Sequence, residues 1–155
     1  MVRLADLPEY ERQHLLAKNL PALTPAAWTA PSKPLSDMRF ALLTTAGLHY
    51  RDAENFAFAD ASYRPLQIAD DSRELVMSHS SVNFDRAGFV EDVNVVFPYD
   101  RFRELVDAGT IGGLSEVHYS FMGAGLLPQM YAQSAAEVAG LLKQEAVDAV
   151  FLTPV

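Results

Sequence analysis

The sequence Asp148-Ala149-Val150-Phe151-Leu152-Thr153-Pro154-Val155, together with the segment that leads into it, decides the fold class. The run is apolar, contains β-branched residues and reaches a Thr-Pro turn signal, which is typical of a buried strand. In the preceding segment, Ser134 and Glu137 have the spacing of a capping box that opens an amphipathic helix. The apolar side of that helix is formed by Val138, Leu141, Leu142 and Val147. A helix that feeds a buried strand is half of a βαβ unit.

Two further apolar runs predict strands of the same sheet. Residues 38–45 read as a buried first strand that enters the glycine turn Ala46-Gly47, and residues 116–122 alternate as a strand does. Between these runs, the sequence predicts a helix from Asp100 to Ala108 that ends at Gly109.

Shorter segments complete the expected pattern. Residues 63–68 predict an edge strand, because Pro65 cannot donate to a central ladder. Residues 74–79 predict another short strand, and residues 93–98 a strand or turn. We therefore expect an α/β fold with a mostly parallel open sheet flanked by helices, Rossmann-like or flavodoxin-like. Because a crossover helix is expected after the last strand, we also expect an incomplete domain.

The first 37 residues have a different character. An amphipathic helix is expected over about residues 6–18, followed by an arm with prolines at 21, 25, 31 and 34. We expect residues 1–37 to form an N-terminal helix and a Pro-rich arm, and residues 38–155 to form the N-terminal part of an α/β domain.

Composition limits the classes of partner. The 155 residues carry a net charge of −8, which disfavours a protein that tracks nucleic-acid phosphates. The sequence has no stretch of about 20 apolar residues, so we expect no membrane span and a cytoplasmic protein. The absence of cysteine excludes disulfides and thiol nucleophiles within these residues.

Three histidines fall at or near predicted strands. His49, His79 and His118 would meet with Asp85 or Asp92 if the three strands belong to one sheet. Three imidazoles and a carboxylate suit zinc or iron, which would make the protein a metal-dependent hydrolase or lyase. Histidines near strand ends also form ordinary hydrogen bonds, and both interpretations stay open here.

The loop around His79 holds several other polar groups. Ser78, Ser80 and Ser81 supply residue types of a hydrolase triad, but neighbours in sequence do not establish triad geometry. Such side chains also hold loops by bonding to the backbone. The pair Asp85-Arg86 would bind a carboxylate substrate or tie two loops together.

Four segments of the sequence form an ordered set. They are Thr44-Thr45-Ala46-Gly47-Leu48-His49, Ser78-His79-Ser80-Ser81-Val82-Asn83-Phe84-Asp85-Arg86, Asp92-Val93-Asn94-Val95-Val96-Phe97-Pro98-Tyr99-Asp100-Arg101 and His118-Tyr119-Ser120-Phe121-Met122-Gly123. Together these segments resemble the glycine/sarcosine/betaine reductase selenoprotein B and D-proline reductase family, and most closely its D-proline-reductase-like branch. The resemblance covers about residues 38–155.

The resemblance implies an oxidoreductase that reductively cleaves a carbon-heteroatom bond in a small amino acid or amine. In that family the strand matching residues 148–154 runs into a selenocysteine-x-x-Cys or Cys-x-x-Cys motif. We expect an in-frame UGA codon directly after the codon for Val155. The resemblance also implies a partner subunit whose pyruvoyl group activates the amine substrate.

The same resemblance indicates candidate site residues. His79 and His118 are the candidates for proton delivery or for lowering the pKa of the chalcogenol. The expected substrate pocket is formed by His49, Ser80, Asp85, Arg86, Asn94 and Ser120. We expect no cofactor or metal bound by this chain itself.

A non-catalytic role is the main alternative to a reductase. In that interpretation the chain completes its sheet with a partner chain, because the terminal strand would otherwise leave an open edge. Both interpretations predict an oligomer.

Overall fold

The computed structural model describes residues 3–22, 29–68, 74–81 and 86–155. Strands and helices alternate along the described part of the chain, joined in places by single turns of 3-10 helix. The helices are α1 (Glu9–Leu16), α2 (Ala87–Glu91), α3 (Tyr99–Asp107) and α4 (Ala132–Gln144). The strands are β1 (Arg39–Thr44), β2 (Leu48–Tyr50), β3 (Tyr63–Leu66), β4 (Leu75–Met77), β5 (Gly113–Leu114), β6 (His118–Phe121) and β7 (Ala149–Thr153).

Strand β1 lies at the centre of the main sheet. On one side it pairs in parallel with β7, from Phe40 opposite Ala149 to Thr44 opposite Thr153. On the other side the parallel strands β5 and β6 pair with its beginning and its end. Strand β3 is antiparallel to β6 and ends the sheet, as predicted for a strand that contains Pro65. The expected mostly parallel sheet is confirmed.

Helices cover both faces of this sheet because the side chains of β1 alternate between them. Leu42 belongs to a core cluster that includes Phe97 and Phe102 of the α3 region. Its neighbour Ala41 belongs to a second cluster with Val138 and Leu142 of α4. The α/β class with flanking helices is therefore confirmed.

The outer side of β7 is an open edge within the described part of the chain. The strand pairs with β1 only, and it exposes 37% of Val150, 43% of Phe151 and 62% of Leu152. Phe151 packs against Phe102 of α3, with ring centroids 5.0 Å apart. The strand is thus apolar on both faces and partly exposed on each.

The capping box predicted for α4 is wrong. The helix begins at Ala132, two residues before Ser134, directly after a 3-10 turn that spans Pro128–Tyr131. The Ser134 hydroxyl instead donates to the carbonyl oxygen of Ala61 at 2.7 Å. The side chain that the local pattern assigned to a helix cap therefore forms a tertiary hydrogen bond.

The expectation that three histidine-bearing strands share one sheet is also wrong. Strands β2 and β4 form a separate two-stranded antiparallel sheet, in which His49 lies opposite Val76. Gly47 lets the chain turn out of the main sheet, since its φ of +66° is unfavourable for other residues. Only His118 lies on the main sheet.

The N-terminal segment is exposed where it is described. Helix α1 begins at Glu9 because Pro8 keeps the preceding residue out of the helical region, so the helix is shorter than predicted. No residue of α1 is buried. Lys33 connects the arm to the sheet through an ion pair with Asp148 at 2.7 Å. Among the described residues, no helix has the length and apolarity needed to cross a membrane.

Candidate functional site

Polar groups gather where β1, β6 and β7 reach their carboxyl ends, the side of a parallel sheet at which ligands bind. On β6, His118 and Ser120 point to the same face and are both buried. The Nδ1 atom of His118 accepts from the Leu42 N–H at 3.0 Å, and the Ser120 hydroxyl accepts from the Leu48 N–H at 2.8 Å. Both predicted site residues therefore bond to the backbone of β1 and β2.

His118 is neutral in the folded protein at physiological pH. The residue is 1% exposed, and burial lowers its pKa from 6.5 to about 4. Because Nδ1 accepts a hydrogen bond, the proton of the neutral ring is assigned to Nε2. The rings of Phe97 and Tyr99 pack edge-on against the imidazole, with centroids 5.7 and 5.4 Å away. This apolar surrounding stabilises the uncharged form.

His79 lies in the loop after β4, which packs on the turn between β1 and β2. The Ser78 N–H donates to the carbonyl oxygen of Gly47 at 3.0 Å. A Cβ atom at Gly47 would lie only 3.2 Å from the backbone nitrogen of His79, and the φ of +66° would strain any other residue there. The loop also contacts the end of β6, where the Ser80 hydroxyl lies 3.6 Å from the Met122 sulfur.

The His79 ring is neutral and fixed. Its Nδ1 accepts from the Ser81 N–H at 3.2 Å. Burial, followed by the nearby charge of Arg86, lowers the pKa of His79 below its ordinary value. The Arg86 guanidinium donates to the carbonyl oxygen of His79. The structure thus brings together His79, Ser80 and Arg86 of the predicted site, whereas Asp85 lies outside the described residues.

His49 and Asn94 lie apart from that cluster. His49 is buried on β2, with Nδ1 2.7 Å from the Tyr50 carbonyl oxygen. Asn94 bonds to both the backbone N–H and the carboxylate of Asp100 at the start of α3, and its Nδ2 also donates to Asp92. Asn94 therefore bonds to the first turn of α3, in front of which Pro98 is the N-cap residue. In the described ranges, no three histidine or acidic side chains are grouped as a metal site would require.

Thr45 was missed as a site residue by the sequence analysis. Its hydroxyl accepts from the Val155 N–H at 2.8 Å and lies 3.3 Å from the Val155 carbonyl oxygen. The Gly123 N–H donates to the carbonyl oxygen of Thr45 at 2.9 Å. The signal in the sequence was the position of Thr45 directly after a buried strand, where a parallel sheet places functional groups.

An apolar cavity of about 590 Å³ opens beside these strand ends, between α4 and the sheet. Thr45, Gly123 and Val155 lie on its wall. Among the described residues, no charged side chain lines it, so these residues offer no ionic partner to an amino acid substrate in the cavity. The other lining residues are Leu43, Phe121, Leu126, Pro128, Tyr131, Ala135, Val138, Ala139, Leu142, Val150, Leu152 and Pro154.

A mostly parallel sheet flanked by helices defines the chain as an α/β protein. The family model for glycine/sarcosine/betaine reductase selenoprotein B matches residues 12–155. The chain belongs to this family. The resemblance found in the sequence is thereby confirmed.

Curated relatives carry the names of reductase subunits. The chain is 35% identical over 136 residues to D-proline reductase subunit gamma of Acetoanaerobium sticklandii, covering 86% of this chain and 55% of that protein. It is 32% identical over 128 residues to betaine reductase complex component B subunit beta of Peptoclostridium acidaminophilum, covering 80% and 29%. It is 31% identical over 127 residues to glycine reductase complex component B subunit gamma of Symbiobacterium thermophilum, covering 79% and 30%.

The chain therefore spans about half or less of the length of these curated relatives. No solved structure matches it significantly.

Proposed function

We propose that this chain is the scaffold part of a reductase subunit that reductively cleaves a carbon-heteroatom bond in a small amino acid or amine. The observation that carries the proposal is the family match over residues 12–155. The convergence of β1, β6 and β7 on Thr45 supports the location of the site, because ligands bind at such strand ends.

The nucleophile is proposed to lie in residues that follow Val155, as a selenocysteine-x-x-Cys or Cys-x-x-Cys motif. A low-pKa chalcogenolate beside a second thiol supplies both the attacking atom and the two reducing electrons. The 155 residues contain no cysteine, so none of them performs this step. A pyruvoyl group on a partner subunit is proposed to activate the amine substrate.

Within this chain, His79 is proposed to accept or deliver a proton at the site. Its lowered pKa leaves the ring neutral at pH 7, which suits a base that takes a proton from a chalcogenol. Its loop packs on Gly47 and Met122, next to the Thr45 cluster. Arg86 is proposed to hold that loop in place through the His79 carbonyl group.

His118 is proposed to support the same site from within the sheet. It is buried under Phe97 and Tyr99 and bonds to the backbone of β1, which leads directly to Thr45. Ser120 supports the neighbouring turn in the same way. These two residues bond β6 to the backbone of β1 and β2, and His79 lies in the loop next to the Thr45 cluster.

The test of the proposed function is the coding sequence beyond the Val155 codon. An in-frame UGA or a cysteine codon, followed after two intervening codons by a cysteine codon, supports the reductase. An ordinary UAA or UAG at that position contradicts it. The cytoplasmic location and the partner subunit stay predictions, and co-purification of a second polypeptide with the untagged protein tests the latter.

A second candidate function is a non-catalytic subunit that completes its sheet with another chain. The observation that favours it is the open edge of β7, where Val150, Phe151 and Leu152 are all partly exposed. Such an edge offers unpaired backbone groups to a further strand. The oligomeric state tests this candidate, as described in the Discussion.

A further inference from the structure

The backbone hydrogen bonds between β1 and β7 stop at the carboxyl ends of the two strands. Regular register runs to Thr44 opposite Thr153, and the Thr45 N–H still donates to the Thr153 carbonyl oxygen at 3.1 Å. One residue later β1 turns away, since Ala46 bridges to Met122 and Gly47 has a positive φ. The backbone of β1 is then no longer available to Val155.

A side chain replaces the missing backbone partner. The Thr45 hydroxyl accepts from the Val155 N–H at 2.8 Å and donates to the Val155 carbonyl oxygen at 3.3 Å. One hydroxyl thereby contacts both polar backbone groups of Val155, which fixes the orientation of that residue as well as its position. A threonine that bonded to only one of these two groups would restrict the orientation of Val155 less.

Gly123 also lies against the Val155 carbonyl oxygen, next to the Thr45 hydroxyl. A Cβ atom at Gly123 would lie 2.7 Å from the Val155 carbonyl oxygen and 2.9 Å from both oxygens of Thr45. The Val155 carbonyl group is therefore held between the hydroxyl and the bare backbone of Gly123. We call the contact of Thr45, Gly123 and Val155 the strand-end clamp.

We infer that Thr45 is a positioning residue that sets the place and direction in which the chain leaves β7. The catalytic role of Thr45 rests on the proposed function, in which the residue after Val155 is the nucleophile. Thr45 then acts through the backbone of Val155, and it positions the reacting atom against the loop of His79 without touching the substrate.

Amide hydrogen exchange of the 155-residue chain tests the clamp. Thr45→Val keeps the shape of the side chain but removes the hydroxyl, whereas Thr45→Ser keeps the hydroxyl. We expect exchange of the Val155 amide to become about fivefold faster in T45V, as expected for one lost hydrogen bond, and to stay near wild type in T45S. The Thr45 amide, which bonds to Thr153 through the backbone, is the internal control and should stay protected.

Three outcomes would overturn the inference. They are unchanged exchange at Val155 in T45V, equally fast exchange in T45S, and a general loss of protection in T45V that includes the buried Leu42 amide. The last result would show that Thr45 stabilises the whole sheet and has no local positioning role.

A thiol probe gives a second measurement, because the chain has no cysteine of its own. Val155→Cys places a single thiol at the clamp, and Leu152→Cys places one on the exposed part of β7 as the matched control. We expect T45V to speed alkylation by iodoacetamide at position 155 severalfold and to leave position 152 unchanged, with T45S restoring the slower rate. Equal acceleration at both positions, or at neither, contradicts the clamp.

The two proposals fail separately. A UAA or UAG codon directly after the Val155 codon would contradict the reductase proposal but would not affect the hydrogen-exchange result. Unchanged exchange in T45V removes the clamp, whatever codons follow.

Discussion

At the scale of single residues, buried polar side chains form hydrogen bonds to the backbone of neighbouring strands. His118 and Ser120 were predicted as site residues, and each accepts a backbone N–H from the adjoining β1–β2 segment. Removing either acceptor would leave a buried donor unsatisfied, which costs about 1–3 kcal/mol. Residue types that suggest catalysis in a sequence can therefore be required for the fold alone.

Gly123 offers the sharpest steric prediction. Gly123→Ala would force a methyl group into backbone atoms of Val155 and Thr45 that cannot rotate away, so we expect a loss of about 1–3 kcal/mol in the free energy of unfolding. Urea denaturation measures this loss. Gly113→Ala is the matched control, because its new methyl group meets no atom within 4 Å and should leave stability nearly unchanged. Similar stabilities for the two variants would contradict the close approach.

His118 makes stability depend on pH. Its pKa is about 4 in the folded protein and 6.5 as the ordinary value, so the unfolded chain binds more protons between these limits. The contribution is fully present above pH 6.5 and is lost as the pH falls towards 4, by roughly 3 kcal/mol in all. Urea denaturation at a series of pH values between 4 and 7 measures the slope.

The variant His118→Asn separates this effect from the rest of the molecule. Asparagine can still accept the Leu42 N–H but does not titrate, so we expect a shallower slope below pH 6.5. The lowered pKa of His79 acts in the same direction and keeps the slope above zero. His14→Asn on the exposed helix α1 is the control. A wild-type slope in H118N would show that this histidine does not control acid stability.

At the scale of elements, the first turn of α3 is held by hydrogen bonds from Asn94, a residue that the sequence pattern placed in a substrate pocket. Asn94 accepts the Asp100 N–H and donates to the Asp100 carboxylate. We expect Asn94→Ala to lower the free energy of unfolding by about 1–2 kcal/mol, as for other side chains that accept an N–H in the first turn of a helix. Asn19→Ala, at an exposed position, is the control and should change little. Unchanged stability in N94A would contradict a stabilising role of Asn94 in α3.

The type of the longer elements followed from local sequence patterns, whereas the short elements β2, α2 and β5 were not predicted. The buried run of β1 and the amphipathic residues of α3 and α4 are repeated at the period of a strand or a helix, and that period is a property of the chain itself. The start of α4 was misplaced because Ser134 bonds to Ala61, which lies 73 residues away in the chain. A local pattern contains no information about such a partner.

At the scale of the whole molecule, the open edge of β7 predicts association. We expect the purified chain to associate as its concentration rises, and Leu152→Lys to shift it towards the monomer, because a charge on an edge strand opposes further pairing. Size-exclusion chromatography with light scattering measures the mass. Leu16→Lys on α1 is the matched control, since Leu16 and Leu152 are both 62% exposed. A wild-type monomer across the concentration series contradicts assembly through this edge.

For the candidate site, as for the elements, the sequence predicted some features and the tertiary structure determined the others. The sequence identified the segments that reach the strand ends, including the loop of His79 and the residues of β6. It did not separate His49 and His79 from the main sheet, because the choice between one sheet and two depends on a turn at Gly47 and on pairing between β2 and β4. The contact of Thr45 with Val155 joins residues 110 positions apart.

By itself, the sequence determined the α/β class, the longer strands and helices, and membership of the reductase family, but not the short elements β2, α2 and β5. Hydrophobic periodicity and short motifs encode these properties locally, so no tertiary contact is needed to read them. Only the tertiary structure decided which polar side chains bond to the backbone and which cluster at the strand ends. Those choices depend on burial and on hydrogen-bond partners that are distant in the chain, and both exist only once the sheet has formed.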